Sequence, residues 1–178
     1  MIGQTHDDAA GECFDKVSKM LGMGFPGGKK IADLATQHTG EYEGIFPLVL
    51  LDRESLDFSF SGLKSAVKRY IDTQIATPGR LTPDKKIQIA YEFEEVVTDI
   101  LSKKLLRAAQ QKNTKMIFLA GGVSANTKLK NKIQKLADIA HISFLAPTQN
   151  IYSMDNAAMV GTRAYYEWRN NSTELIQK

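Results

Sequence analysis

A glycine pair joins a short apolar run to a helical run, and this junction constrains the fold more than any other feature of the chain. Residues 116–119 are apolar and β-prone, as in a buried strand, and they lead into Gly121 and Gly122. Apolar residues then recur at helical spacing at Leu129, Ile133, Leu136 and Ala137. Glycines permit a sharp turn and a close ligand approach, while Ser124 or Asn126 can cap the helix. The sequence therefore predicts a strand–turn–helix unit that either binds an anion such as phosphate or serves only as a turn.

Length and composition are typical of a globular protein with one well-buried core. The chain has 178 residues, of which 43% are hydrophobic and 24% charged. No apolar run reaches membrane-spanning length, and the first residues lack the features of a secretion signal. Cys13 is the single cysteine, which excludes an internal disulfide and favours a reducing compartment. A cytoplasmic protein without membrane association is expected.

Hydrophobic spacing predicts a helix-rich chain with few strands. Helices are expected from residue 7 or 8 to 21, from 29 to about 38, from about 63 to 75, over about 28 residues from Pro83, after the glycine loop, and from 157 onward. Residues 142–145 predict a second strand, whereas 45–51, which contain Pro47, predict an edge strand or an extended connector. We expect 1–112 to be mainly helical, 113–170 to form a strand–glycine loop–helix unit, and 171–178 to be a frayed tail.

Capping residues mark two of these helix starts. Residues 57–62 alternate phenylalanine and serine, so Phe58 and Phe60 can share one side of an extended segment, with Ser61 placed to cap the next helix. Further along, Thr82 is expected as N-cap, with Pro83 at the first helical position.

Three polar side chains stand where an element begins or breaks, namely Asp15, Asn126 and Asp155. Each is a candidate ligand-binding group, and each also has a structural explanation as a cap, a turn former or a solvated residue. The net charge of +3 is too small to identify a nucleic-acid binder. Basic residues that form either solvated helix faces or a phosphate-binding surface cluster at Lys64, Lys68 and Arg69, at Lys103, Lys104 and Arg107, and at Lys128, Lys130, Lys132 and Lys135.

Several catalytic patterns are missing from the sequence. Its three histidines, His6, His38 and His141, are scattered and form no HxxxH or HExxH pair, so they predict no complete metal site. A GxSxG motif is also missing, and covalent hydrolase chemistry has no support.

Five stretches together resemble one protein family. They are residues 7–16 (DDAAGECFDK), 25–28 (FPGG), 56–64 (LDFSFSGLK), 120–126 (AGGVSAN) and 155–159 (DNAAM). In order and spacing they resemble the tRNA N6-adenosine threonylcarbamoyltransferase (TsaD) family, once described as sialoglycoprotein endopeptidases or glycoproteases. The resemblance extends along nearly the whole chain and matches only the C-terminal half of the family.

The resemblance implies a fold and a set of substrate contacts. The implied fold is α/β, a helix-rich partial lobe of the actin-like, Hsp70-like and sugar-kinase-like class, with a ligand cleft between two lobes. Carried over by position, Asp15, Gly28 and Asn126 are implied to contact the adenosine part of threonylcarbamoyl-AMP. Gly121 and Gly122 are expected to present N–H groups to the same ligand. No catalytic residue is assigned.

The metal site that the resemblance implies is incomplete in this sequence. Asp155 matches one ligand of a divalent ion, iron or zinc, that bridges ligand phosphates in the whole enzyme. The HxxxH motif and a Ser-Gly-Gly loop of the family belong to an N-terminal half that this sequence lacks. We therefore expect this half alone to be inactive and to hold no metal ion.

The resemblance also implies partners. In the whole enzyme the threonylcarbamoyl group passes to N6 of an adenosine next to the tRNA anticodon, and bacterial members work with TsaB and TsaE proteins. Strand 116–119, deprived of neighbours, is expected to expose an apolar sheet edge and to promote self-association. Two alternatives stay open, an ATP-binding kinase-like module of the same fold and a non-enzymatic helical interaction domain.

Overall fold

The computed structural model describes residues 1–49, 54–74, 81–154 and 156–175. The described chain is helix-rich with one small parallel sheet, as the sequence predicts. Its helices are α1 (Ala10–Met20), α2 (Gly27–Ala35), α3 (Ser61–Gln74), α4 (Pro83–Gln111), α5 (Thr127–Ile139) and α6 (Ala157–Leu175), and its strands are β1 (Met116–Phe118) and β2 (Ser143–Leu145). Short 3-10 turns cover Gly122–Ala125 and Asn150–Ser153. Kinship with the actin-like class stays a prediction.

The long helix α4 organises the chain because it contributes to two hydrophobic clusters. The larger cluster joins α1, α2, α3 and α4, and at its centre the rings of Phe14 and Phe93 meet edge to face with centroids 5.1 Å apart. The smaller cluster places Ala109 of α4 with Ile117 of β1 and with Leu129 of α5. At 29 residues and 1.5 Å per residue, α4 is about 44 Å long.

Thr82 caps α4 as expected, because its hydroxyl accepts a hydrogen bond from the Lys85 N–H at 3.3 Å. The strands run parallel, with Met116 opposite Ser143 and Phe118 opposite Leu145, and α5 connects them. The expected division of the chain at residues 112 and 170 stays a prediction, and α6 continues to Leu175. None of the described helices is both long and apolar enough to cross a membrane.

The strand interpretation of residues 45–51 is wrong where it can be examined. Residues 45–49 contain no strand, and residues 50 and 51 lie outside the described residues. The carboxylate of Glu92 accepts hydrogen bonds from the N–H groups of Glu43 and Ile45, at 2.7 and 3.1 Å. The buried Glu92 side chain of α4 therefore binds the backbone N–H groups that would pair with a neighbouring strand in a sheet. This segment fits the second of the two alternatives, a connector.

Residues 57–60 arrange their side chains as the alternation predicts. The rings of Phe58 and Phe60 stack with centroids 6.1 Å apart, while the hydroxyls of Ser59 and Ser61 both donate to Asp7. The expected role of Ser61 as the capping acceptor of α3 is wrong. Asp7 takes that role instead, because its carboxylate accepts hydrogen bonds from the backbone N–H groups of Phe60 and Ser61, where α3 begins.

Candidate functional site

The glycine loop after β1 has open space beside it. Gly121 has φ of 85°, a left-handed conformation that favours glycine, and both Gly121 and Gly122 are exposed. A Cβ built on either residue meets no atom within 4 Å. Packing against the described chain therefore does not account for the glycine at position 122, and a ligand could approach the backbone there.

Asn126 ends the loop and caps α5. Its Oδ1 accepts a hydrogen bond from the Leu129 N–H at 2.8 Å, which confirms the capping role that the sequence offered as a structural explanation. Its Nδ2 donates to Oε1 of Glu94 at 2.7 Å. An amide nitrogen carries two hydrogens, so one N–H of Asn126 remains beyond this bond.

Asp15 and Gly28 lie at the junction of α1 and α2, joined through Gly27. Oδ1 of Asp15 accepts a hydrogen bond from the Gly27 N–H at 2.6 Å. A Cβ on Gly27 would lie 2.6 Å from the carbonyl oxygen of Phe14, so close packing of the two helices requires glycine there. A Cβ on Gly28 would meet nothing within 4 Å. The two glycines therefore differ: Gly27 serves the packing, and Gly28 faces open space.

The glycine loop contacts α1 one helical turn from Asp15. A Cβ built on Gly11 would lie 3.5 Å from Val123 of the loop, and Gly11 and Asp15 share a helix face at the i, i+4 spacing. The glycine loop therefore lies against α1 at the turn before Asp15, and the convergence of Asp15 and Gly28 with Asn126 on one site stays a prediction. Asp155 lies outside the described residues.

Most of the basic clusters are engaged by acidic partners. Lys64 binds Asp8, Lys68 binds Asp72 and Lys103 binds Asp99, while Lys128 and Lys132 bind acids of α4. Lys104 is almost fully buried and donates to the carbonyl oxygens of Ser55 and Asp57. These contacts favour the structural explanation of the clusters over a phosphate-binding surface.

Lys128 and Lys132 connect α5 to the acidic side of α4. Burial raises the pKa of both the Glu95 and the Asp99 carboxyl. Hydrogen bonds and charge attraction from Lys128 and Lys132 outweigh burial at Glu95, those from Lys103 and Lys132 outweigh it at Asp99, and both pKa values lie below their usual range. Glu95 binds Lys128 at 2.7 Å and Lys132 at 2.6 Å. The network fixes α5, and hence the loop that precedes it, against α4.

A cavity of about 310 Å³ lies behind the glycine loop. Its walls are mainly apolar, and they include Phe58, Leu101, Leu105, Leu119 and Val123. Its lining suits apolar groups better than the polar parts of a nucleotide.

The described residues contain no group of three or more His, Cys, Asp or Glu side chains that could hold a metal ion. Cys13 is completely buried, and burial raises the pKa of its thiol to about 12. A thiol held in its neutral form neither ligates metal nor acts as a nucleophile at neutral pH. It is a packed core side chain.

Sequence reasoning missed the acidic residues that organise this region, above all Glu94. Its side chain is 3% exposed and binds both Asn126 and Lys128. One signal was available, because Glu94 lies four residues after Ala90 and three before Val97, on the apolar stripe of α4. A carboxylate on such a stripe must have buried partners.

Comparison with known proteins gives a consistent family assignment. The family model described as "TsaD: tRNA N6-adenosine threonylcarbamoyltransferase" matches residues 1–162. Proteins of that name are similar to this chain in Desulforapulum autotrophicum (43% identity over 93% of this chain and 48% of the relative), Clostridioides difficile (39%, over 97% and 50%) and Desulfotalea psychrophila (38%, over 94% and 48%). The chain spans about half the length of these curated relatives. With five motifs in order and a family match along most of its length, the chain belongs to the tRNA N6-adenosine threonylcarbamoyltransferase family.

Proposed function

We propose that this chain forms the C-terminal half of an enzyme that transfers the threonylcarbamoyl group from threonylcarbamoyl-AMP to N6 of an adenosine next to the anticodon of tRNA. The observation that carries the proposal is the family match over residues 1–162, combined with coverage of about half of each relative. This half supplies one wall of the nucleotide cleft, and the chemistry requires the opposite wall. The chain alone is therefore inactive.

In this proposal the adenosine part of the substrate lies against the wall formed by α1, α2 and the glycine loop. Gly28 lets the nucleoside approach the backbone, because nothing in the described chain fills the space that a side chain would occupy. The carboxylate of Asp15 accepts from ribose hydroxyls, and the Asn126 amide binds the ligand. Gly121 and Gly122 present backbone N–H groups towards the ligand. These residues bind and orient the substrate, which positions the carbamoyl carbon for attack by the tRNA amine.

The metal ion and the partner proteins belong to the whole enzyme. Asp155 is proposed as one ligand of an iron or zinc ion, and its other ligands are proposed to come from the other half of the enzyme. tRNA is the proposed acceptor, TsaB and TsaE proteins are the proposed bacterial partners, and self-association through the sheet is proposed for this half alone.

Nucleotide titration of the whole chain, observed by ¹⁵N NMR, tests the proposed cleft wall. AMP is expected to shift the signals of Gly28, Gly121, Gly122 and Asn126, and to bind more tightly than ATP. Tighter binding of ATP would favour the kinase-like alternative. Absence of shifts at Gly28 and Asn126 would favour the helical interaction domain.

A pair of glycine variants makes the titration specific. Gly28→Leu fills the open space beside α2 and is expected to abolish AMP binding. Gly161→Leu is the matched control, because Gly161 is also helical with nothing within 4 Å of a built Cβ, but lies on α6.

An activity assay tests the other half of the proposal: tRNA and threonylcarbamoyl-AMP incubated with the wild-type chain should yield no modified tRNA. Full turnover by the chain alone would contradict the proposal.

A further inference from the structure

We infer that Glu94 is a positioning residue that holds the Asn126 side chain in the orientation that nucleotide binding requires. The inference rests on the proposed function, because it assigns Glu94 a role in the same site. It concerns a buried carboxylate on α4 that neither the sequence motifs nor the family assignment singles out.

The contact between Glu94 and Asn126 joins two elements that are distant in sequence. Oε1 of Glu94 accepts from Nδ2 of Asn126 at 2.7 Å, across a separation of 32 residues. Glu94 is 3% exposed, so water does not compete strongly for this acceptor. A hydrogen bond to a charged acceptor at this distance is among the stronger side-chain contacts in proteins.

Glu94 fixes the orientation of the Asn126 amide, that is, which side carries Oδ1 and which carries Nδ2. The Leu129 N–H donates to Oδ1 at 2.8 Å, and Glu94 accepts from Nδ2. The terminal torsion of asparagine has broad, nearly two-fold preferences, so a single contact would leave it poorly defined. With donor and acceptor both engaged, the amide cannot flip without losing two hydrogen bonds. Its second N–H therefore keeps one direction, and we infer that a ligand binds this N–H.

The geometry separates this role from a simple ionic link between α4 and α5. Lys128 lies 3.2 Å from Glu94 but 2.7 Å from Glu95, and Glu95 also binds Lys132 at 2.6 Å. Glu95 therefore provides the closer ionic contacts between the helices. The contact particular to Glu94 is the one with Asn126, and Lys128 offsets part of the cost of burying its charge.

The experiment compares three variants of the whole chain with wild type, using the Asn126 side-chain NH2 signals and AMP affinity as readouts. Glu94→Ala removes the acceptor, Glu94→Gln keeps an acceptor oxygen, and Glu95→Ala removes ionic contacts without touching Asn126. Glu94→Ala is expected to shift the Asn126 side-chain signals and to weaken AMP binding roughly five- to tenfold, the size of one ordinary hydrogen bond, because Glu94 acts on the ligand only through Asn126. Glu94→Gln should restore most of the affinity, and Glu95→Ala should leave it within about twofold of wild type while lowering stability.

The outcomes distinguish the inference from the function on which it rests. If wild type binds AMP and Glu94→Ala binds it equally well, the role of Glu94 is overturned and the proposed site stands. Equal losses of affinity in Glu94→Ala and Glu95→Ala would also overturn it, because they would reflect the helix interface alone. If wild type shows no AMP binding, the proposed nucleotide site fails, and the role of Glu94 fails with it.

Discussion

The carboxylate of Asp7 binds Ser61 twice, receiving the hydroxyl at 2.7 Å and the backbone N–H at 3.3 Å. It also receives the Phe60 N–H at 2.7 Å. A residue preceding α1 thereby supplies the acceptor for the N–H groups of Phe60 and Ser61, where α3 begins. Burial raises the pKa of the Asp7 carboxyl, but the hydrogen bonds from Ser59, Ser61 and Phe60 outweigh it and hold the pKa well below its usual range.

Asp7→Ala is expected to lower the free energy of unfolding by about 1–2 kcal/mol, the usual cost of losing a helix-capping acceptor. Urea denaturation at pH 7 measures the change. Asp33→Ala is the control, because the pair of Asp33 with Lys29 is exposed and its loss should cost less than about 0.5 kcal/mol. Equal effects of the two variants would show that Asp7 does not stabilise α3.

Replacing Gly27 or Gly28 by alanine is expected to change the stability of the fold in opposite directions. Gly27→Ala places a Cβ 2.6 Å from Phe14 O and 2.7 Å from Asp15 Cα, so α1 and α2 must separate, at a cost of about 1–3 kcal/mol or more. Gly28→Ala adds a methyl group in open space within a helix, where alanine is favoured over glycine by up to about 1 kcal/mol.

Denaturation midpoints and AMP titration together check this pair. Gly28→Ala should fold at least as stably as wild type but bind AMP more weakly, which separates a binding role from a structural one. A stable Gly27→Ala protein would contradict the packing of α1 against α2.

The sequence predicted the features that depend on local patterns and missed those that depend on distant partners. The long helix from Pro83 and the Thr82 cap are both encoded in local patterns, and both are confirmed. The backbone of residues 43–45 is instead bound by Glu92, 47 to 49 residues away, and α3 is capped by Asp7, 54 residues from Ser61. No local pattern reports such contacts.

The candidate site follows the same division. The turn at Gly121 and the Asn126 cap were readable from glycines and polar residues between a strand and a helix. The distinction between Gly27 and Gly28 was not, because it depends on how closely α1 approaches α2. Contacts of Asp15, Gly28 and Asn126 with a nucleotide stay predictions.

Acid is expected to weaken the interface of α4 with α5. The pKa values of Glu95 and Asp99 lie below their ordinary values of 4.5 and 3.8 in the folded chain. Their contribution to stability is therefore complete above the ordinary values and is lost as pH falls through the lowered ones. Stability should begin to fall below about pH 4.5.

The double variant Glu95→Gln, Asp99→Asn tests this linkage. It should be less stable than wild type at pH 7 and should lose less stability between pH 5 and pH 3, as measured by urea denaturation across that range. Asp33→Asn serves as the control and should keep the wild-type pH dependence. A double variant with the wild-type slope would place the acid sensitivity elsewhere.

The outward face of the sheet is expected to drive self-association of the chain. Phe118 of β1 lies opposite Leu145 of β2, and the two residues are 66% and 50% exposed. Covering this exposed apolar face removes it from water and is therefore favourable. A second copy of the chain offers a matching apolar face. Phe118→Lys should therefore shift the chain towards monomer at concentrations where wild type forms dimers or larger species, as measured by sedimentation velocity.

Val160→Lys, at an exposed apolar position of α6, is the control and should leave the distribution of monomer and larger species unchanged if the sheet is the contact surface. A monomeric wild type at high concentration would contradict the expectation, and dissociation by Val160→Lys alone would place the contact on α6.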